Sequence, residues 1–151
     1  MEDTLVILKP DGVNKKLLLE VIKRFLDNGL LVSNLKAMEL DKKIIREHYN
    51  HLINLPFYSV LEEYMLSGVV VVMIVSGKEA ISKVREIIGA TDPKVALPHT
   101  IRGQYGDKEC MTRNVIHASD SKENAMIEIK RFYQEENEEI DKTNRVYQKR
   151  R

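Results

Sequence analysis

The sequence is poor in residues that mark several common classes of protein. Its 151 residues include no tryptophan and a single cysteine, Cys110. One cysteine cannot form an internal disulfide, and a cysteine-rich metal cluster would need several, so a reducing compartment is expected. The longest apolar run, 69–75, is far shorter than the roughly 20 residues of a membrane span. The run at 5–8 is too short for a signal peptide. We therefore expect a soluble, cytoplasmic protein.

Neither sign of charge is in excess. Lysine and arginine together number 24, aspartate and glutamate 23, and the formal net charge is +1. A nucleic-acid-binding surface needs a clustered basic excess, so no specific nucleic-acid partner is predicted. The basic end at 149–151 is expected to lie in solvent. The length favours a single domain over 1–151, with 134–151 as a weakly patterned tail.

Hydrophobic periodicity predicts an α+β fold. Continuous apolar runs predict strands at 4–8, 30–40, 69–75 and 113–117. Apolar residues at three- and four-residue steps predict helices at 18–28, 41–52, 57–66, 81–88 and 121–133. The second and third of these form a helical hairpin, because Pro56 separates them. The segment 90–112 has no periodicity, and a loop of that length is typically functional.

The order of these elements narrows the fold. Without the hairpin it is β-α-β-β-α-β, the ferredoxin-like arrangement. We expect a two-layer α/β sandwich, with a four-stranded antiparallel sheet, the helices packed on one face and the hairpin inserted.

His117 is the leading candidate for chemistry. It ends the last predicted strand and precedes Ser119, Asp120 and Ser121, small polar residues of the kind that start helices. Helix N-termini favour anions, phosphate above all. Neutral imidazole is a good nucleophile when its other ring nitrogen is held. Glu128, two helical turns after Ser121, could hold it. The alternative is a histidine that caps the strand and does no chemistry.

Three cations stand on three predicted elements. Lys9 closes the first strand, Arg85 is on a helix and Arg102 is in the long loop. A polyphosphate needs such a set, because each cation can neutralise a different oxygen. The alternative for each is an exposed surface charge. The sequence has neither the P-loop pattern nor the Rossmann glycine fingerprint, so a nucleotide would bind without them.

The sequence alone does not decide the roles of two aromatic residues and two histidines. Phe57, just after Pro56, could stack on a base, or it could pack in the core. Tyr49 could donate to a phosphate or be buried. His48 and His51 are spaced like half of a metal site, but no third ligand is near in sequence, so no protein metal site is predicted.

The stretch 114–121, Asn-Val-Ile-His-Ala-Ser-Asp-Ser, resembles the signature N-x-x-H-[GA]-S-D-[GSA] of nucleoside diphosphate kinases. The segment 4–13, which ends Lys-Pro-Asp-Gly-Val, is similar to the family's first strand and turn. Further matches fall in family order, at 48–49, 56–57, 67–68, 89–93 and 100–103. The resemblance covers roughly 3–133.

The resemblance implies a ferredoxin-like fold and a ping-pong reaction. The γ-phosphate of a nucleoside triphosphate, typically ATP, would pass to His117 and then to a nucleoside diphosphate. Magnesium would arrive on the nucleotide phosphates. The family forms hexamers or tetramers built from a common dimer, so a homo-oligomer is expected.

The resemblance also implies roles for the remaining residues. Lys9 and Asn114 would contact the sugar hydroxyls and bridging oxygens. The phosphates would bind to Tyr49, Arg85, Thr91 and Arg102. Phe57 would stack on the base, with Met111 against its other face. Glu128 and Ser119 would orient and assist His117.

The chain departs from the family pattern in three places. Asn-Lys-Lys at 14–16 replaces the usual Arg-Gly, the stretch 103–113 is longer than usual, and 134–151 does not resemble the family's ending. The competing interpretation is a nucleotide- or nucleic-acid-binding module on the same sandwich that has lost catalysis. A competent residue at every position named above favours the enzyme.

Overall fold

The computed structural model describes residues 1–133, in which strands and helices alternate. The strands are β1 (Glu2–Leu8), β2 (Leu31–Glu39), β3 (Val69–Gly77) and β4 (Ile116–Ala118). The helices are α1 (Pro10–Asn14), α2 (Leu18–Asp27), α3 (Lys42–His48), α4 (Tyr58–Leu66), α5 (Ala80–Ile88), α6 (Ile101–Tyr105) and α7 (122–133). A 3₁₀ turn, Asn50–Leu52, joins α3 to the segment before α4. The predicted tail, 134–151, lies outside the described residues.

The strands form an antiparallel sheet in the order β2-β3-β1-β4. This order confirms the ferredoxin-like α+β class. The two central strands are covered on both faces: in β1, Leu5 and Ile7 belong to one apolar cluster, and Val6 and Leu8 belong to the other. All four are fully buried, so the run is continuously apolar instead of alternating.

Helices cover both faces of this sheet, which differs from the expectation that they pack on one. α2 and α5 pack on one face through residues such as Phe25 and Val84. The hairpin helices and α7 lie on the other, through Ile45, Leu61 and Phe132. This third layer exists because β1 and β3 carry apolar side chains on both sides, and both sets must leave water.

Polar side chains begin two helices where the sequence predicts a start. The Asp41 carboxylate accepts a hydrogen bond from the Ile44 N–H at 2.9 Å, and the Ser121 hydroxyl accepts one from the Asn124 N–H at 3.1 Å. These caps satisfy donors that have no partner within the first turn of a helix. These caps matter for the site because they fix the starts of α3 and α7, which carry the side chains that flank His117.

The last strand is shorter and later than 113–117, since it spans Ile116–Ala118 with His117 in its middle. Val115 has φ +65°, a conformation that a β-branched residue rarely adopts, so extended chain starts only after it. The N–H of Val115 is bound by the Asp11 carboxylate at 3.2 Å. Contacts with the turn after β1 therefore replace the first part of the expected strand.

The long segment 90–112, predicted as a loop, contains the short helix α6. Its start is capped by Thr100, whose hydroxyl accepts from the Gly103 N–H at 3.1 Å. Five residues are too few to display a helical period, so the sequence pattern did not reveal it. Within 1–133, no helix is both long and apolar enough to cross a bilayer.

Candidate active site

A cavity of about 600 Å³ lies beside β4 and the end of β1, between α3, α7 and the segments before α4 and β4. Most of the predicted site residues line it, although they come from separate parts of the chain. They are Lys9, Tyr49, Phe57, Arg85, Thr91, Arg102, Met111, Asn114, His117 and Glu128. Ser119 is not a wall residue and is buried behind the cavity. The convergence that sequence alone could not show is thus present.

The pleat of β4 aims His117 at this cavity. His117 pairs with Ile7 of β1, so it shares the face on which α3 and α7 pack. Its Nε2 lies 2.5 Å from Oε1 of Glu128. The other ring nitrogen, Nδ1, is therefore the one available to a ligand. This geometry matches the arrangement expected for a histidine nucleophile with one nitrogen held.

Ser119 holds the carboxylate that holds the histidine. Its hydroxyl donates to Oε1 of Glu128 at 3.3 Å and accepts from the Leu5 N–H at 3.2 Å. Both side chains are buried, and burial raises the pKa of Glu128. The chain Leu5, Ser119, Glu128, His117 thus ties the ring to the backbone of the central strand.

Burial, followed by the charges of Lys9 and Arg102, lowers the pKa of His117 to about 3. The ring is therefore neutral at physiological pH. A neutral ring whose Nε2–H is donated to Glu128 keeps a lone pair on Nδ1. Nearby cations that disfavour a protonated histidine favour an anion placed against it.

Lys9 is a buried cation at the end of β1. Its Nζ donates to Oδ1 of Asn114 at 2.7 Å, and Nδ2 of Asn114 donates to the Thr91 carbonyl at 2.9 Å. Burial, with the charge of Arg102 second, lowers the pKa of Lys9 to about 7. Within the described residues one hydrogen bond satisfies one of the three ammonium donors, so an anionic ligand would gain from this group.

Arg102 is anchored by two backbone carbonyls. Its two terminal nitrogens donate to the carbonyls of Gly89, at 3.2 Å, and Ile116, at 2.6 Å. Burial lowers its pKa to about 10, and nearby Arg85 adds to the shift. The site therefore holds a fixed guanidinium within the wall and an exposed one, Arg85, at its rim.

Besides Nε2 of His48, two buried donors in the walls have no hydrogen-bond partner within residues 1–133. They are the hydroxyl of Tyr49 and Nε of Arg102. Burial raises the pKa of Tyr49, so its hydroxyl keeps its proton and can only gain by finding an acceptor. Buried donors without partners are uncommon and costly, and phosphate oxygens would satisfy both.

The two residues expected around a base stand at the mouth of the cavity. Phe57 precedes α4 and is half-buried, and Met111 lies on the segment before β4 and is exposed. Both line the cavity. An open mouth flanked by an aromatic and a thioether side chain is suited to a flat apolar ring.

The structure separates the two histidines considered for a metal. His51 is exposed, whereas His48 is buried beside His117. Donor atoms of His48, His117 and Glu128 lie within 4.8 Å of one another, so the third ligand that the sequence did not reveal comes from distant positions.

Three site residues were missed at the sequence level. Asp11 shapes the approach to β4 by accepting from the Val115 N–H and from the Tyr64 hydroxyl. Asp120 lines the cavity, and Arg131 contacts His48. The Lys-Pro-Asp-Gly turn could have indicated Asp11, and the spacing Glu128, Arg131 on one helix face could have indicated the last.

The geometry agrees with comparisons to known proteins. The family model described as nucleoside diphosphate kinase matches residues 2–138.

The chain belongs to the nucleoside diphosphate kinase family.

Relatives from distant organisms match most of the chain. A nucleoside diphosphate kinase of Acetivibrio thermocellus is 48% identical over 135 residues, which are 89% of this chain and 98% of the relative. One of Pyrococcus furiosus is 45% identical over 137 residues, 90% of this chain and 85% of the relative. The crystal structure of the Encephalitozoon cuniculi nucleoside diphosphate kinase superposes with a TM-score of 0.82 at 40% identity, covering 87% of this chain and 88% of that one. The family, predicted from the signature around His117, is confirmed.

Proposed function

We propose that the protein is a nucleoside diphosphate kinase that transfers the γ-phosphate of a nucleoside triphosphate, typically ATP, to a nucleoside diphosphate through a phosphohistidine at His117. The observation that supports this most directly is the contact between His117 Nε2 and Glu128 in a cavity lined by cations. A histidine held at one nitrogen, neutral and beside unpartnered donors is suited to accept a phosphoryl group.

In the first half-reaction, the lone pair of His117 Nδ1 forms a bond to the γ-phosphorus. The bond from that phosphorus to the β–γ bridging oxygen breaks, and its electrons remain on the departing diphosphate. Lys9, Arg85 and Arg102 stabilise the charge on the transferring and leaving oxygens. The ring becomes cationic as the bond forms, and the Glu128 carboxylate compensates through the Nε2 proton.

In the second half-reaction, a different nucleoside diphosphate occupies the same cavity and attacks the phosphohistidine in reverse. The same cations serve both directions, because the charge distribution of the two steps is the same. One pocket therefore suffices for two substrates, which bind in turn.

Magnesium fits this donor set as a companion of the nucleotide. The described part of the cavity holds two exposed carboxylates, Glu47 and Asp120, among lysine and arginine side chains, which does not make an oxygen cage. The ion would supply positive charge to the phosphates. Asp120, whose charge interacts with Arg85 and His117, would assist in holding it.

The decisive experiment follows phosphate on the protein. Incubation with γ-³²P-ATP and Mg²⁺ is expected to label the chain with an acid-labile, base-stable phosphate. A chase with unlabelled GDP or CDP should then remove the label as the corresponding triphosphate. A protein that binds ATP but never carries label would instead be a binding module.

Phe57→Ala is expected to weaken the binding of all nucleotides to a similar degree. Loss of one base–aromatic contact lowers affinity by roughly ten- to a hundredfold. The effect should be uniform, because stacking does not distinguish hydrogen-bonding edges. Titration of ATP, GTP, CTP and UTP against both proteins measures it. A loss confined to one base would contradict the stacking role.

Nucleotide binding is expected to take up protons at about pH 8.5, because free Lys9 has its pKa lowered to about 7 and a bound polyphosphate raises it. Affinity should therefore fall as pH rises above 7. Calorimetry in two buffers of different ionisation enthalpy counts the protons. Lys9→Arg, which stays charged, should lose the uptake, and equal uptake in both proteins would assign it elsewhere.

We also propose a homo-oligomer, hexamer or tetramer, built from dimers. The edge strand β2 supports this, because most of its residues are exposed and its outer backbone edge is unpaired within 1–133. Sedimentation equilibrium distinguishes the two assemblies. The cytoplasmic location stays a prediction.

A further inference from the structure

His48 lies directly behind the nucleophile, and its contacts fix where its proton is. One terminal nitrogen of Arg131 lies 2.9 Å from His48 Nδ1. A guanidinium has donors only, so Nδ1 must be the acceptor. The ring proton of neutral His48 is therefore on Nε2. The tautomer is inferred from the contact with Arg131 alone.

The rest of the His48 ring is surrounded by other rings. The centroid of the His117 ring is 4.4 Å away with the planes at 78°, Tyr49 is at 4.7 Å and Phe132 at 5.5 Å, all in edge-on geometry. Within the described residues Nε2 of His48 has no hydrogen-bond partner. Arg131 is thus the polar contact of the His48 ring, and the His48 ring in turn packs against the ring of His117.

We propose that Arg131 is a positioning residue, which locks His48 in the Nε2–H tautomer and thereby keeps the His117 ring aligned with Glu128. Arg131 and Glu128 lie three residues apart on α7, so one helix face orients both rings. The proposal rests on the proposed function for its kinetic consequence only. The tautomer itself is a property of the resting protein.

The contact between Arg131 and His48 also disfavours metal binding by His48, His117 and Glu128. Two imidazoles and a carboxylate with donor atoms within 4.8 Å are a ligand set that Zn²⁺ favours. A histidine binds a metal through a nitrogen lone pair. In His48 one lone pair is used by Arg131, and the other nitrogen carries the proton. Removal of Arg131 releases the Nδ1 lone pair and also allows the Nδ1–H tautomer, so His48 can offer a nitrogen lone pair to Zn²⁺ beside His117 and Glu128.

Three variants test the proposal: Arg131→Leu removes the donor, Arg131→Lys keeps a cationic donor, and Arg46→Leu is the control. Arg46 lies on α3 near His48 but pairs with Glu62. Long-range ¹H–¹⁵N spectra of the imidazoles should show the Nε2–H tautomer of His48 in wild type, Arg46→Leu and Arg131→Lys. Arg131→Leu should show a mixture.

Kinetics and zinc give two further readouts. For Arg131→Leu, kcat is expected to fall by about tenfold with KM for nucleotide unchanged, and half-inhibition by Zn²⁺ should need at least about tenfold less metal. Arg131→Lys should restore both. An unchanged tautomer in Arg131→Leu, or equal zinc sensitivity, would overturn the proposal. If wild type transferred no phosphate, the proposed function would fail while the spectra still decided the tautomer.

Discussion

His117→Ala is expected to lower the rate of phosphoryl transfer by at least about 10⁴-fold, because the variant has no atom to carry the phosphate between the two nucleotides. The cations, the tyrosine and the stacking ring remain, so ADP and ATP should still bind. Labelling with γ-³²P-ATP, quenched in base, measures the covalent step directly. Steady-state transfer from ATP to GDP measures the complete cycle.

The matched control is His99→Ala. His99 is exposed, and it contacts Arg24 through its backbone carbonyl. The control should label and turn over like wild type. If His117→Ala were labelled to the same extent, another residue would be the phosphate carrier, and the alignment of His117 with Glu128 would have no catalytic meaning.

The central strands of the fold were predictable because strands buried on both faces have continuous apolar sequences. β1 and β3 are covered on both faces, so their runs are apolar without interruption. The order of strands and helices then indicated the ferredoxin-like class. The position of the hairpin and α7 on the second face was not predicted, although the same continuous runs imply it: a strand with no polar face needs cover on both sides.

The start of β4 could not be predicted from local sequence. Val115 and Ile116 are β-branched residues that favour strands, and tertiary contacts hold Val115 in a left-handed conformation. The carboxylate that binds its N–H is on Asp11, more than a hundred positions away. Propensity describes what a segment prefers alone, so a contact of this kind is invisible to it.

The residues of the candidate site were predictable from the resemblance to the nucleoside diphosphate kinase family. Hydrophobic periodicity and residue spacing could not show that these residues lie close together. Lys9 and Arg102 could each have been an exposed surface charge, and His117 could have been a strand cap. Only the three-dimensional structure shows that all three line one cavity, which argues against these alternatives. Arg131 illustrates the opposite case. Only its spacing from Glu128 on one helix face could have indicated it, and its importance arises from the single atom of His48 that it contacts.

Lys9→Met is expected to lower kcat/KM by about 10²- to 10³-fold and, at the same time, to leave the fold as stable as before or more so. The activity falls because a preorganised cation is removed from the transferring phosphate. Stability does not fall because the ammonium is held in a buried position at a cost, which its depressed pKa of about 7 records.

The effect of Lys9→Met on stability is expected to depend on pH. Below pH 7 Lys9 is charged in both the folded and the unfolded state, so its burial penalty is fully present. Between 7 and 10.5 the unfolded chain binds the proton that the folded one has lost, and the penalty shrinks as pH rises. The stability advantage of Lys9→Met should therefore be largest at about pH 6 and narrow toward pH 10. Urea unfolding at several pH values measures it. A variant that lost activity and stability together, at every pH, would show that Lys9 supports the fold and not the phosphate, since a functional cation in a buried site opposes folding.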